Sequence, residues 1–261
     1  MEIDALVPVS RVGADERTPV PPNPAEVLAA LMDFSGSVTL AELLHAPRDC
    51  DEGMPHPNAS ELAWKLQETV RKQLAALSTS VLRPLKGRHA PPHPAADELI
   101  ASLERAAGAP GKIPDAQGVE RFAHDLGAPY FKALYKAVQQ SQVQIQGLRA
   151  RVTLEVRELG PRAARLEHID AALQRSLQGK QLELFERLVL AAELTFERAC
   201  ARACAELPEG FGSAELARWS AEDGWLDRYR ERCVRMTQAL FGHLQRGLEG
   251  LVVAAVHAEI S

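Results

Sequence analysis

A chain of 261 residues with a formal charge of −5, a pI near 5.9 and 5% aromatic residues is not a wholly basic nucleic-acid binder. Its Leu-, Ala- and Val-rich apolar content suits packed helices better than a β-sandwich. Four irregularly spaced cysteines (Cys50, Cys200, Cys204, Cys233) make no disulfide framework, the acidic start Met1-Glu2-Ile3-Asp4 is no signal peptide, and no run of about 18 apolar residues spans a bilayer, so the expected setting is a reducing cytoplasm.

In chain order, residues 1–24 hold Pro8, Pro19, Pro21, Pro22 and Pro24 and read as a disordered Pro-rich arm. Residues 25–83 read as a small N-terminal helical region. A short helix to Phe34 carries Val27, Leu28, Leu31 and Met32, and a second over Thr39 to His45 carries Leu40, Leu43 and Leu44. After a loop over 46–57, Asn58 and Glu61 have capping-box spacing and open a stronger helix to Leu82. Its apolar side is Leu62, Leu66, Val70, Leu74 and Leu77. Pro84, Gly87, Pro91, Pro92 and Pro94 predict an extended linker over 84–94, which leaves 95–261 as the main domain.

That domain opens with helices over 95–107 and 115–126, the second stopped by Gly127. Three long helices follow, about 130–159, 162–206 and 222–258. In the first, Phe131, Val138, Ile145, Val152 and Leu159 recur every seven residues with Leu134 and Leu148 between them, and Ser141 and Glu155 interrupt the row. In the second, Leu166, Ile169, Leu173, Leu177, Leu184, Leu188, Ala191 and Thr195 form the seam, and Gly179 is where a bend would fall. Gly160 is placed to end the first helix in the left-handed conformation and Pro161 to start the second; one kinked helix is the alternative. Ser213 caps a short helix bearing Trp219. The third long helix carries Tyr229, Cys233, Met236, Leu240, Leu244, Leu248, Leu251 and Ala255 on one face. The fold class is all-α, a bundle of three long helices with additional short N-terminal helices and no sheet.

Chemistry-bearing constellations are sparse. Cys200 and Cys204 share a helix face, but a zinc site wants closer spacing and a second ligand pair, so they read as small core residues. Glu42 and His45 form one Glu-x-x-His, where a di-iron bundle needs two. His89 and His93 read as solvated linker histidines. Neither Gly-rich phosphate motif nor a nucleophile elbow occurs. No catalytic, cofactor-binding or metal residue is therefore assigned. The basic residues of the first long helix (Lys132, Lys136, Arg149, Arg151, Arg157) are expected to face the acidic second one (Glu167, Asp170, Glu183, Glu186, Glu193, Glu197), with phosphate or an acidic protein surface as the other target.

Leu148-Arg149-Ala150-Arg151-Val152, then Ala164-Arg165-Leu166 with Asp170-Ala171-Ala172-Leu173, then Leu188 and Phe196-Glu197, resemble an uncharacterised bacterial helical family, domain of unknown function 3348. The resemblance covers roughly residues 130–200 and is poor in the N-terminal third. The family has no assigned activity, catalytic residue or cofactor. Its genes often lie beside those for a proton-channel-like inner-membrane protein and an OmpA-like protein, which implies a cytoplasmic accessory of an envelope complex.

The expected function is a non-enzymatic helical scaffold or adaptor that binds a protein partner or a second copy of itself. The expected binding residues are Tyr229, Met236, Leu240, Leu244 and Leu251 on the last helix. One alternative is nucleic-acid binding through the basic helix with Arg83, Lys86 and Arg88. Another is a helical-bundle metalloprotein using Glu42, His45 and helix carboxylates or thiols.

Overall fold

The computed structural model describes residues 58–260. The expected arm, the two short N-terminal helices and the loop over 46–57 lie outside them, and so do Glu42, His45 and Cys50. Among the described residues all regular structure is helical. The helices are α1 (Ala59–Val81), α2 (Ala96–Ala107), α3 (Ala116–Leu159), α4 (Pro161–Ala205), α5 (Ser213–Ser220) and α6 (Trp225–Ile260). Two 3-10 turns, Arg83–Leu85 and Gly87–His89, follow α1.

The three expected long helices are present and pack on one another as α3, α4 and α6. Helix α1 lies along α3 and α6, burying Leu66, Val70 and Leu74 as its stripe predicted. Asn58, however, makes no side-chain cap bond to the first turn. The stretch over 84–94 is not a solvated tether. Pro84, Leu85 and Pro91 are buried, and His93 and the Pro94 carbonyl are hydrogen-bonded to the helices, with 86–89 exposed between them. Helices α2 and α5 pack on each other over the end where α6 begins.

Helix α3 differs from the sequence reading. It is one helix of 44 residues, running through Gly127 and Pro129. Pro129 removes one donor from the ladder, yet flanking turns and tertiary packing carry the helix across it. Gly127 is there for close approach rather than as a stop, because an added Cβ would run into the Phe131 ring and reach 3.0 Å from Phe196. The interrupted row is also explained. Ser141 is fully buried and donates to the Ala137 carbonyl at 2.8 Å, while Glu155 stays outside and Val156 takes the core position.

The α3–α4 corner is a true turn, and Gly160 adopts φ 155° and ψ 179° rather than the left-handed helical region. That conformation is almost confined to glycine, and an added Cβ would collide with the Glu259 carboxylate. Helix α4 then continues through Gly179 without interruption.

The core-facing row of α4 lies one residue on from the predicted seam. Glu167, Phe185, Ala192 and Phe196 are buried, while Leu166, Leu184, Ala191 and Thr195 sit beside them at the flank. Phe196 decides this register. Its ring meets Tyr229 at 4.8 Å, Trp225 at 5.2 Å, Phe131 at 5.3 Å and Tyr130 at 5.8 Å between centroids. Such an aromatic cluster outweighs a few leucines, since large rings bury more area and add their own edge-to-face attraction.

Candidate functional site

The bundle carries an apolar face on α4, a basic cleft where α6 begins, a hydrogen-bonded histidine and three core cysteines.

The register of α4 leaves much of its leucine content outside the core. Leu184 is 45% exposed, Leu190 55% and Leu194 43%, and Leu173, Leu177 and Leu188 are only half-buried. Spacings of 4, 7 and 4 put Leu173, Leu177, Leu184 and Leu188 on one side of the helix, with Leu194 next to them. Two ion pairs between α3 and α4 lie nearer the α3–α4 turn. Arg149 pairs with Asp170, and Arg157 Nε meets Glu167 Oε2 at 2.6 Å. The expected pairing of a basic first helix with an acidic second therefore occurs at these two positions.

The five side chains expected to bind a partner sit elsewhere and are occupied. Tyr229, Leu240 and Leu251 are buried, and half-buried Met236 and Leu244 pack against the core. The Tyr229 hydroxyl donates to the Ala192 carbonyl at 3.1 Å. The apolar face of α6 is a core face, covered by α1, α3 and α4.

A cleft of about 810 Å³ opens between the C-terminal part of α4, α5 and the first turns of α6. Arg202, Arg218, Arg228, Arg232 and Arg235 line it over a floor that includes Trp219, Trp225 and Tyr229. Glu206, Glu215 and Asp223 are its carboxylates. Sequence reading missed this site, because its arginines come from three helices and only α6 shows a spacing, 228, 232 and 235, that puts them on one face. A second, shallower groove gathers Arg83, Lys132 and Lys136 with His89 and has no carboxylate in its lining.

His93, expected in solvent, is mostly buried. Its Nδ1 lies 2.8 Å from the Tyr130 hydroxyl and its Nε2 lies 3.4 Å from Asp227 Oδ1, and Asp227 also pairs with Arg230. Burial pushes the Tyr130 phenol up to about 12. This chain of bonds fastens the segment before α2 to the bundle.

Cys200, Cys204 and Cys233 are free and buried, in keeping with small core residues. The adjoining Cys204 thiol and burial hold Cys200 far above the usual thiol range, and burial pushes Cys233 up to about 11. Among the described residues no group of three or more His, Cys, Asp or Glu side chains is arranged to hold a metal. Nor is any helix among them long and apolar enough to cross a membrane.

The sequence model of a family described as protein of unknown function (DUF3348) matches residues 9–256. That span runs far beyond the stretch at 130–200 that carries the visible resemblance, and it takes in the N-terminal third. No curated protein and no solved structure matches the chain.

Proposed function

For a chain that belongs to the DUF3348 family, we propose the role of a non-enzymatic helical adaptor that binds a protein partner along α4. The observation that carries this reading is the exposed leucine side of that helix. Leu184 and Leu194 leave large apolar surface in water beside half-buried Leu173, Leu177 and Leu188, while Phe185, Ala192 and Phe196 fill the core. Burying such a row against a partner returns about 25 cal/mol for each Å² removed from water. A partner helix would meet it with its own i, i+3, i+4 anchors. The self-association version moves with it, from α6 to α4. The envelope setting implied by the family names the first partners to try, a proton-channel-like inner-membrane protein and an OmpA-like protein.

The test is crosslinking affinity purification from the native cell, comparing the full chain with the Leu184→Glu/Leu194→Glu variant. A partner, or a second copy, recovered with the parent chain and lost with the variant supports the reading. Equal recovery from both defeats it.

A second reading has one observation in its favour. Arg83, Lys132 and Lys136 share a groove without a carboxylate, as a polyanion such as nucleic acid requires. An electrophoretic shift that vanishes as salt rises, and is absent in Lys132→Gln/Lys136→Gln, would support it. No shift at low salt ends it.

A further inference from the structure

The cleft between α4, α5 and α6 has no task in the adaptor reading, and its composition asks for one. Five arginines against three carboxylates leave it net positive in a chain that is net negative. Helix C-termini account for two of them. Arg202 and Arg218 stand in the last turns of α4 and α5, where the dipole favours a cation. The helix dipole disfavours Arg228. It stands in the first turn of α6, at the positive end of that helix, and Arg232 and Arg235 follow one and two turns later on the same face. Arg235 has only a 3.6 Å contact with exposed Glu231. Arg202, Arg228 and Arg232 form no ion pair with any described residue.

Guanidinium groups lining one cleft repel one another, an anion among them relieves that repulsion, and their planar forks suit the paired oxygens of a phosphoryl or carboxylate group. The floor adds to the case. Buried Trp219 and Tyr229 and half-buried Trp225 make up that floor, and the buried Trp225 indole N–H has no acceptor among the described residues. A volume of about 810 Å³ suits a small molecule. We infer that the cleft formed by Arg202, Arg228, Arg232 and Arg235 over Trp225 is a binding site for a small, multiply charged oxyanion. The shared chemistry is two or more phosphoryl or carboxylate groups on one compact ligand. The site does not depend on the adaptor reading and stands or falls separately.

The molecule carries its own reporter, since two of its three tryptophans belong to the cleft and the third, Trp64 on α1, is 64% exposed. Tryptophan emission and thermal unfolding of the full chain, with Trp64→Phe to lower the background, are followed while sodium pyrophosphate, citrate or sodium chloride is added at matched ionic strength. The expected result is a saturable change with pyrophosphate or citrate and none with chloride. A response to pyrophosphate alone assigns the site to phosphoryl groups, and one to citrate alone to carboxylates. Arg228→Gln/Arg232→Gln should weaken the response about tenfold or more, while Lys132→Gln/Lys136→Gln in the other basic groove should leave it unchanged. Should the double variant lose its helical signal, Arg202→Gln serves in its place. The inference is overturned if neither oxyanion gives a saturable change, if chloride matches them, or if the folded cleft variant binds as well as the parent.

Discussion

Glu259, two residues from the chain's end, accepts a hydrogen bond at 2.7 Å from the backbone N–H of Ala163. The two are 96 positions apart. Helix α4 begins at Pro161, with Gly160 unable to cap it by a side chain, so the end of α6 supplies the acceptor and the negative charge that the α4 N-terminus favours. Arg162 Nη1 returns a bond to the Ala258 carbonyl at 3.3 Å. Together they tie the end of α6 to the start of α4.

Removing that tie should show in stability. Glu259→Ala is expected to cost about 1–2 kcal/mol in urea unfolding, in the range of a lost helix cap, and Glu259→Gln less, since it keeps an acceptor. Gly160→Ala should cost more than Glu259→Gln, as it strains the turn and displaces the carboxylate. A Gly160→Ala protein as stable as the parent would show that the turn is not held as described.

The His93 linkage should govern the segment before α2. His93→Ala leaves the Tyr130 hydroxyl and Asp227 without their shared partner, at about 1–3 kcal/mol for buried polar groups. Hydrogen exchange should rise over residues 84–95 before it rises in α3. Unchanged protection there would refute the fastening role.

Alkaline pH should weaken the fold in a defined window. The Tyr130 phenol is neutral in the folded state and its value is raised from 10.0 to about 12, so its contribution is complete below pH 10 and is lost as pH climbs toward 12. Cys233, raised from 9.0 to about 11, adds the same sign of dependence between those values. Urea midpoints measured from pH 8 to 11.5 should fall, and Tyr130→Phe should flatten the upper part of the curve.

Thiol labelling reads the same burial directly. Cys200, Cys204 and Cys233 should react with a thiol reagent only after denaturant is added. Rapid labelling of any of the three in the native protein would contradict the core described for α4 and α6.

Periodicity made the three long helices legible, because apolar rows of 30 residues or more leave little room for another structure. It could not tell a core face from a binding face. The row on α6 containing Tyr229, Leu240 and Leu251 and the row on α4 containing Leu184 and Leu188 look alike as text, yet the first is buried and the second flanks the core. Phe196 made the difference by drawing α4 round by one residue. Gly127 misled for a related reason, since a local breaking tendency of about 1 kcal/mol yields to tertiary packing. The Glu259 cap and the His93 linkage join residues from about 40 to about 130 positions apart along the chain, the arginine cleft draws on three helices, and no local pattern announces such pairings.

The adaptor reading is tested most directly by placing a photo-crosslinking residue at position 184 or 194 on α4, and at Trp64 on α1 as the exposed apolar control, in the native cell. The account predicts a discrete crosslinked protein, whether another chain or a second copy, from 184 and 194 and none from 64. Adducts from position 64 alone, or none from α4, would contradict it.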